Sequence, residues 1–108
     1  MAHPDGEAAT ARAANTSSTP IMLSNWANTP LEVFASSCPN SLKMFQIYMS
    51  KVPEVNEDLW KRVRESGFKI MFLTTDTQLL GKRESDMRNG FQLPNHLNMA
   101  NMAKYMGK

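Results

Sequence analysis

The sequence predicts a mainly α protein: a small irregular bundle of four to five short helices behind an extended N-terminal tail, with room for one short strand at residues 68–74. Three observations predict it. The stretch Val55–Leu73 carries a dense set of helix start and stop signals. Thr29-Pro30-Leu31-Glu32 reads as a second helix start, with Thr at the N-cap, Pro at the first turn and Glu at N3. Residues 42–49 are apolar at six of eight positions, as in a helix buried on more than one side.

Residues 1–20 are rich in Ala, Thr and Ser, carry Asp5, Glu7 and Arg12, and have no large apolar side chain after Met1. Such a stretch buries too little surface to offset its ordering entropy, so residues 1–28 read as an extended or disordered tail. Ile21, Met22, Leu23 and Trp26 form an abrupt apolar cluster at its end, expected to dock on another protein or to strap over the domain's own core. The domain proper is expected over 29–93.

Its first helix carries Leu31, Phe34 and Ala35 on one stripe and must stop by Cys38, because Pro39 disfavours helix before it. A second is expected over 39–51, with Met44, Ile47 and Tyr48 as candidate partner contacts. Asn56 is the expected cap of a third, running from Glu57 to Ser66, with Val55 and Trp60 at staple spacing and Lys61, Arg62 and Arg64 towards its carbonyl end. Gly67 can take the left-handed position after it, with Phe68 folding back on Val63. Phe68–Leu73, apolar except for Lys69, reads as a strand on its β-rich content, although a strand with no partner would leave its ladder groups unpaired. A short helix is expected over 74–80 and a charged, turn-rich loop over 82–90. A Met-rich helix is expected over 94–108, placing Met99, Met102 and Met106 on one stripe.

The chemistry-bearing patterns are sparse. No Gly-rich phosphate loop and no His-Glu-x-x-His is present, and His3 and His96 stand at opposite ends of the chain. The single Cys38 excludes an internal disulfide framework and a multi-thiolate zinc site, and fits a reducing, intracellular compartment. No run is long enough to span a bilayer, and the start of the chain lacks the apolar stretch of a secretory signal; contact with a membrane surface stays open. No catalytic residue, cofactor or metal is expected. The net charge of +2 is mild for a nucleic-acid protein, although Lys61, Arg62, Arg64, Lys69, Lys82 and Arg83 interleave with aromatics as phosphate contacts would.

Nine methionines and a surplus of apolar surface over a core of this size lead to the reading of a non-catalytic accessory or structural subunit, held by other protein subunits in a hetero-oligomeric assembly. An RNA-associated or peripheral ribosomal protein, using the basic residues of 61–69 and 82–88, is the second reading.

Overall fold

In the computed structural model, which describes residues 3–76, 79 and 81–106, helices and strands alternate, and the mainly α expectation is overturned. Residues 7–16 form helix α1 (Glu7–Thr16) where a tail was expected. Alanine is the strongest helix former, and Ala8 and Ala11 are small enough to bury their face of α1 against the core. The cluster after it is strand β1 (Ile21–Ser24).

Helix α2 (Leu31–Ser37) follows, and it ends at Cys38 as expected. Its start differs from the sequence-based expectation. Thr29 does not cap it; the hydroxyl donates to Glu7 Oε2 at 2.5 Å and accepts the Glu7 N–H at 3.2 Å. The Leu31 N–H is satisfied instead by the side chain of Asn101, 2.7 Å away.

The helix expected over 39–51 is strand β2 (Lys43–Ile47). Parallel strands buried on both faces read as continuous apolar runs with little alternation, so the run at 42–49 mimics a buried helix. Helix α3 (Pro53–Glu65) begins three residues before Asn56, with Val52 extended at its cap and Pro53 in the first turn. Its ending is the expected one. Gly67 takes φ 79°, its N–H donates to Arg64 O at 3.1 Å, and the Phe68 N–H donates to Val63 O at 3.3 Å.

Strand β3 (Ile70–Leu73) is then parallel to β2, which is itself parallel to β1, giving the sheet order β1-β2-β3. The strand at 68–74 therefore has the ladder partner that a mainly α chain could not offer. Within the charged stretch lies helix α4 (Glu84–Asn89), closed by Gly90 in the left-handed region at φ 59°. Of the helix expected over 74–80, residues 77, 78 and 80 lie outside the described residues, and 74–76 are not helical. The expected terminal Met-rich helix is a strap of turns with one 3-10 turn at Ala103–Tyr105. Asn101 is drawn inside and fully buried, which a continuous helix on a Met stripe would not permit.

The two faces of the sheet are unlike. Leu23, Phe45 and Ile47 are 1% exposed or less and join Leu31, Phe34, Leu59, Val63 and Phe68 in one core beneath the helices. Phe68 stands between Phe34 and Phe45, with ring centroids 6.2 and 5.7 Å away. Lys43 is buried with them, its ammonium donating to Cys38 O and Pro39 O at 3.2 Å and so closing the carbonyl end of α2. On the opposite face the register lines up Met22, Met44 and Ile70, then Ser24, Gln46 and Phe72. None of these six belongs to the core; Met22, Ile70 and Phe72 are 41–46% exposed.

Candidate active site

All three strands point the same way, so their carboxyl ends deliver side chains to a single edge of the sheet. There the open face turns polar. Ser24 Oγ donates to Gln46 Oε1 at 3.2 Å, and the Asn25 N–H reaches the same oxygen at 3.3 Å. Gln46 Nε2 donates to Thr74 Oγ1 at 2.8 Å. These partners orient the amide, oxygen towards β1 and nitrogen towards β3, and among the described residues none takes the Thr74 hydroxyl proton, which can donate onward. The backbone below is equally fixed: the Asn25 N–H donates to Gln46 O at 2.9 Å and the Thr74 N–H to Ile47 O at 3.0 Å.

Beside this row the chain leaving β1 presents Trp26 and the chain leaving β2 presents Tyr48, with ring centroids 4.8 Å apart and planes inclined by 33°. Trp26 is half exposed. The site is therefore a row of oriented hydroxyl and amide groups, an apolar floor of Met22, Met44, Ile70 and Phe72, and an aromatic flank. Such a surface can grip the polar edge of a flat, largely apolar group. Among the described residues no cluster of three His, Cys, Asp or Glu side chains can hold a metal ion.

The residues singled out from the sequence are dispersed by the fold. Leu23 and Ile47 are sealed in the core, and Ile21 packs on it half-buried. Met22, Met44, Trp26 and Tyr48 are brought to the open face and its edge. Met99 is half-buried in the strap, Met102 packs on the core, and Met106 is exposed. The basic residues do not make one stripe. Arg62 is tied to Glu32 at 2.7 and 3.1 Å and donates to Asn101 O at 3.3 Å. Lys61 and Arg64 lie exposed on α3 and Lys69 at the foot of β3. Lys82 and Arg83 are exposed in the segment after β3, Arg83 only loosely paired with Asp86 at 3.8 Å. His3 and His96, far apart in sequence, line one open cavity of about 700 Å³ together with Asn28 and Thr29.

A charged cluster holds the strap to the helices. Asp58 receives Lys104 at 2.5 Å and the Tyr105 hydroxyl, and these two hydrogen bonds, Lys104 first, hold its carboxyl below the ordinary range. Glu32 is likewise lowered, chiefly by its hydrogen bond from Arg62. Glu7 is lowered in net, since the bonds from Thr29 and the neighbouring backbone outweigh the upward push of burial. Burial raises the Cys38 thiol, so it stays protonated and inert.

Sequence reasoning missed Ser24, Gln46 and Thr74. Their signal is a polar residue within one position of the end of each of three short, mostly apolar runs: Ser24 closing 21–24, Gln46 next to last in 43–47 and Thr74 just past 70–73. The pattern emerges only once all three runs are read as strands.

Comparison with known proteins gives the site its context. The chain matches the family model "FMN-dependent dehydrogenase" over residues 1–108. It is 48% identical over 101 residues to glycolate oxidase 1 of Zea mays, and 45% identical over 101 residues to 2-hydroxyacid oxidase 1 of Mus musculus. Each alignment covers 94% of this chain and 27% of the relative, so the chain spans about a quarter of the length of these curated relatives. A crystal structure of mandelate oxidase with (S)-2-phenylpropionate superposes with a TM-score of 0.84 at 34% identity, over 92% of this chain and 29% of that one. The parallel strands and alternating helices are thus a piece of a (β/α) barrel, whose active sites lie at the carboxyl ends of the strands. These findings overturn both the accessory-subunit reading and the expectation that the protein is not an enzyme, since the relatives are oxidases. The chain belongs to the FMN-dependent dehydrogenase family.

Proposed function

We propose that this chain supplies part of the flavin- and substrate-binding wall of an FMN-dependent oxidase acting on 2-hydroxy acids of the glycolate or mandelate kind. The observation that carries the reading is the Ser24–Gln46–Thr74 row, laid across the carboxyl ends of three adjacent parallel strands. The relatives' names supply the substrate class.

The residues present fit the cofactor. A flavin ring has an apolar face and a polar edge of carbonyl and N–H groups. The floor of Met22, Met44 and Phe72 suits the first, and Ser24, Gln46 and Thr74 can donate to and accept from the second. When bound, FMN supplies the two-electron acceptor for oxidation of the hydroxyl-bearing carbon. The protein's own part is binding, orientation and exclusion of water. Gln46 is held at both ends of its amide, so it presents a fixed dipole with no reorganisation cost. Trp26 and Tyr48 form the flank against which a substrate can be packed away from solvent. The exposed guanidinium of Arg83, in the segment after β3 just before α4 and only loosely paired with Asp86 at 3.8 Å, suits the carboxylate that every 2-hydroxy acid carries.

A chimera tests the reading: the aligned segment of the Zea mays glycolate oxidase is replaced by the corresponding residues of this chain. Retained flavin and turnover of glycolate or mandelate are expected. A chimera that folds and binds flavin yet oxidises no 2-hydroxy acid would remove the functional assignment.

A further inference from the structure

Neither ring of the aromatic flank is held by a hydrogen bond of its own among the described residues, so the backbone on either side must set the pair. Two buried asparagines brace that backbone. Asn56, 6% exposed in α3, accepts the Ser50 N–H at 2.8 Å and donates to Ser50 O at 2.9 Å. That reproduces a strand-like double bond to a loop residue two positions beyond Tyr48. Asn101, with no exposure at all, accepts the Leu31 N–H at 2.7 Å and donates to Thr29 O at 3.4 Å. Its neighbour Ala100 donates to Ala27 O at 3.0 Å, so the strap grips the last residue of the Ser24–Ala27 turn that carries Trp26. Each loop is held from outside the sheet, Tyr48's by α3 and Trp26's by the strap.

We propose that Asn56 and Asn101 are positioning residues whose side-chain clamps set the Trp26–Tyr48 pair. The consequence for the site rests on the function proposed above. A clamp of this kind is specific because a buried amide must pair both its oxygen and its nitrogen, which leaves one backbone placement satisfied.

The test uses the full chain carrying Trp60→Phe, which leaves Trp26 as its remaining tryptophan. Asn56→Asp and Asn101→Asp keep the acceptor of each clamp and lose the donor. Asn15→Ala is the control: it removes a side-chain contact to the Asn40 N–H, at 2.9 Å, that touches neither loop. Both aspartate variants are expected to keep the far-ultraviolet dichroism of the parent. Their near-ultraviolet tryptophan band should fall by about half and acrylamide should reach Trp26 more readily, as a tilted ring pair loosens. The control should change neither signal. Aspartate variants that fold with both signals unchanged would overturn the proposal. Should one fail to fold, hydrogen exchange on the Trp60→Phe parent decides. Release of the Ser50 and Leu31 amides in the same opening that exposes Trp26 supports the clamps, and release in separate openings refutes them. The optical signals judge the clamps, while flavin loading of the chimera judges the site, so the two fail separately.

Discussion

The two faces of the sheet are made from the same three strands and have opposite fates. On one face Leu23, Phe45 and Ile47 vanish beneath α1, α2 and α3; on the other Met22, Ile70 and Phe72 remain more than two-fifths exposed. Parallel sheets are normally covered on both sides, because crossover helices occupy one face and barrel closure or further helices occupy the other. The sealed face carries the stability of this piece, and the open face and its carboxyl edge carry the site proposed above. Within a closed barrel the open face is the interior, where layers of side chains from the other strands complete the packing. β3 does not share this division: Ile70, Met71, Phe72 and Leu73 are all 39–54% exposed, on both faces, and among the described residues β3 is the last strand of the sheet.

The sharpest way to break this contrast is to delete one aromatic ring from each face. Phe45→Ala should cost about 3–5 kcal/mol of unfolding free energy by urea titration, since it empties a sealed core. Phe72→Ala should cost below about 1 kcal/mol, because nearly half of that side chain is already in water. Equal costs would mean that the open face is covered after all.

Next in size is the strap. Asn101→Ala leaves the buried Leu31 N–H without an acceptor and should cost about 1–3 kcal/mol. A cost near zero would show that the strap is not part of the sealed side.

The smallest expected effect is acid release of the strap. Glu32 and Asp58 both titrate below their ordinary values of 4.5 and 3.8. A carboxyl with a lowered folded value adds stability above its unfolded value and loses it as the pH falls through the folded one. The strap contacts of Lys104, Tyr105 and Arg62 should therefore be at full strength above pH 4.5 and weaken below it, a small shift because the Glu32 and Asp58 side chains are 49% and 37% exposed and screened by solvent. Tyr105 side-chain resonances followed by NMR from pH 6 to 3 would show it; no change through that range contradicts the cluster as a fastening.

How much of this could be read from the residues follows the same division. Local signals were legible where they are local: the α3 ending at Gly67 and Phe68, the stop of α2 before Pro39, and the β-rich run at 70–73. Strand β2 was not, because apolar residues stand on both of its faces and its alternation is in burial and not in residue type, Lys43 being buried beside Phe45 and Ile47 against expectation. Helix α1 was hidden by its composition, since alanines that pack closely look like a tail that packs nothing. Asn56 and Thr29 are good capping residues spent elsewhere, on Ser50 and Glu7, which no propensity foretells. The surplus of apolar surface was a true observation with the wrong cause. It belongs to the wall of a barrel, whose polar row at the strand ends has no counterpart on a helical bundle.

Flavin loading of the chimera, with and without Gln46→Leu, tests the central claim most directly. Gln46 bridges Ser24 and Thr74 in the row, so its loss should lower flavin affinity by about tenfold, the equivalent of one or two oriented hydrogen bonds, while far-ultraviolet dichroism is unchanged. Equal flavin affinity in the two proteins would contradict the assignment of the open face as the cofactor wall.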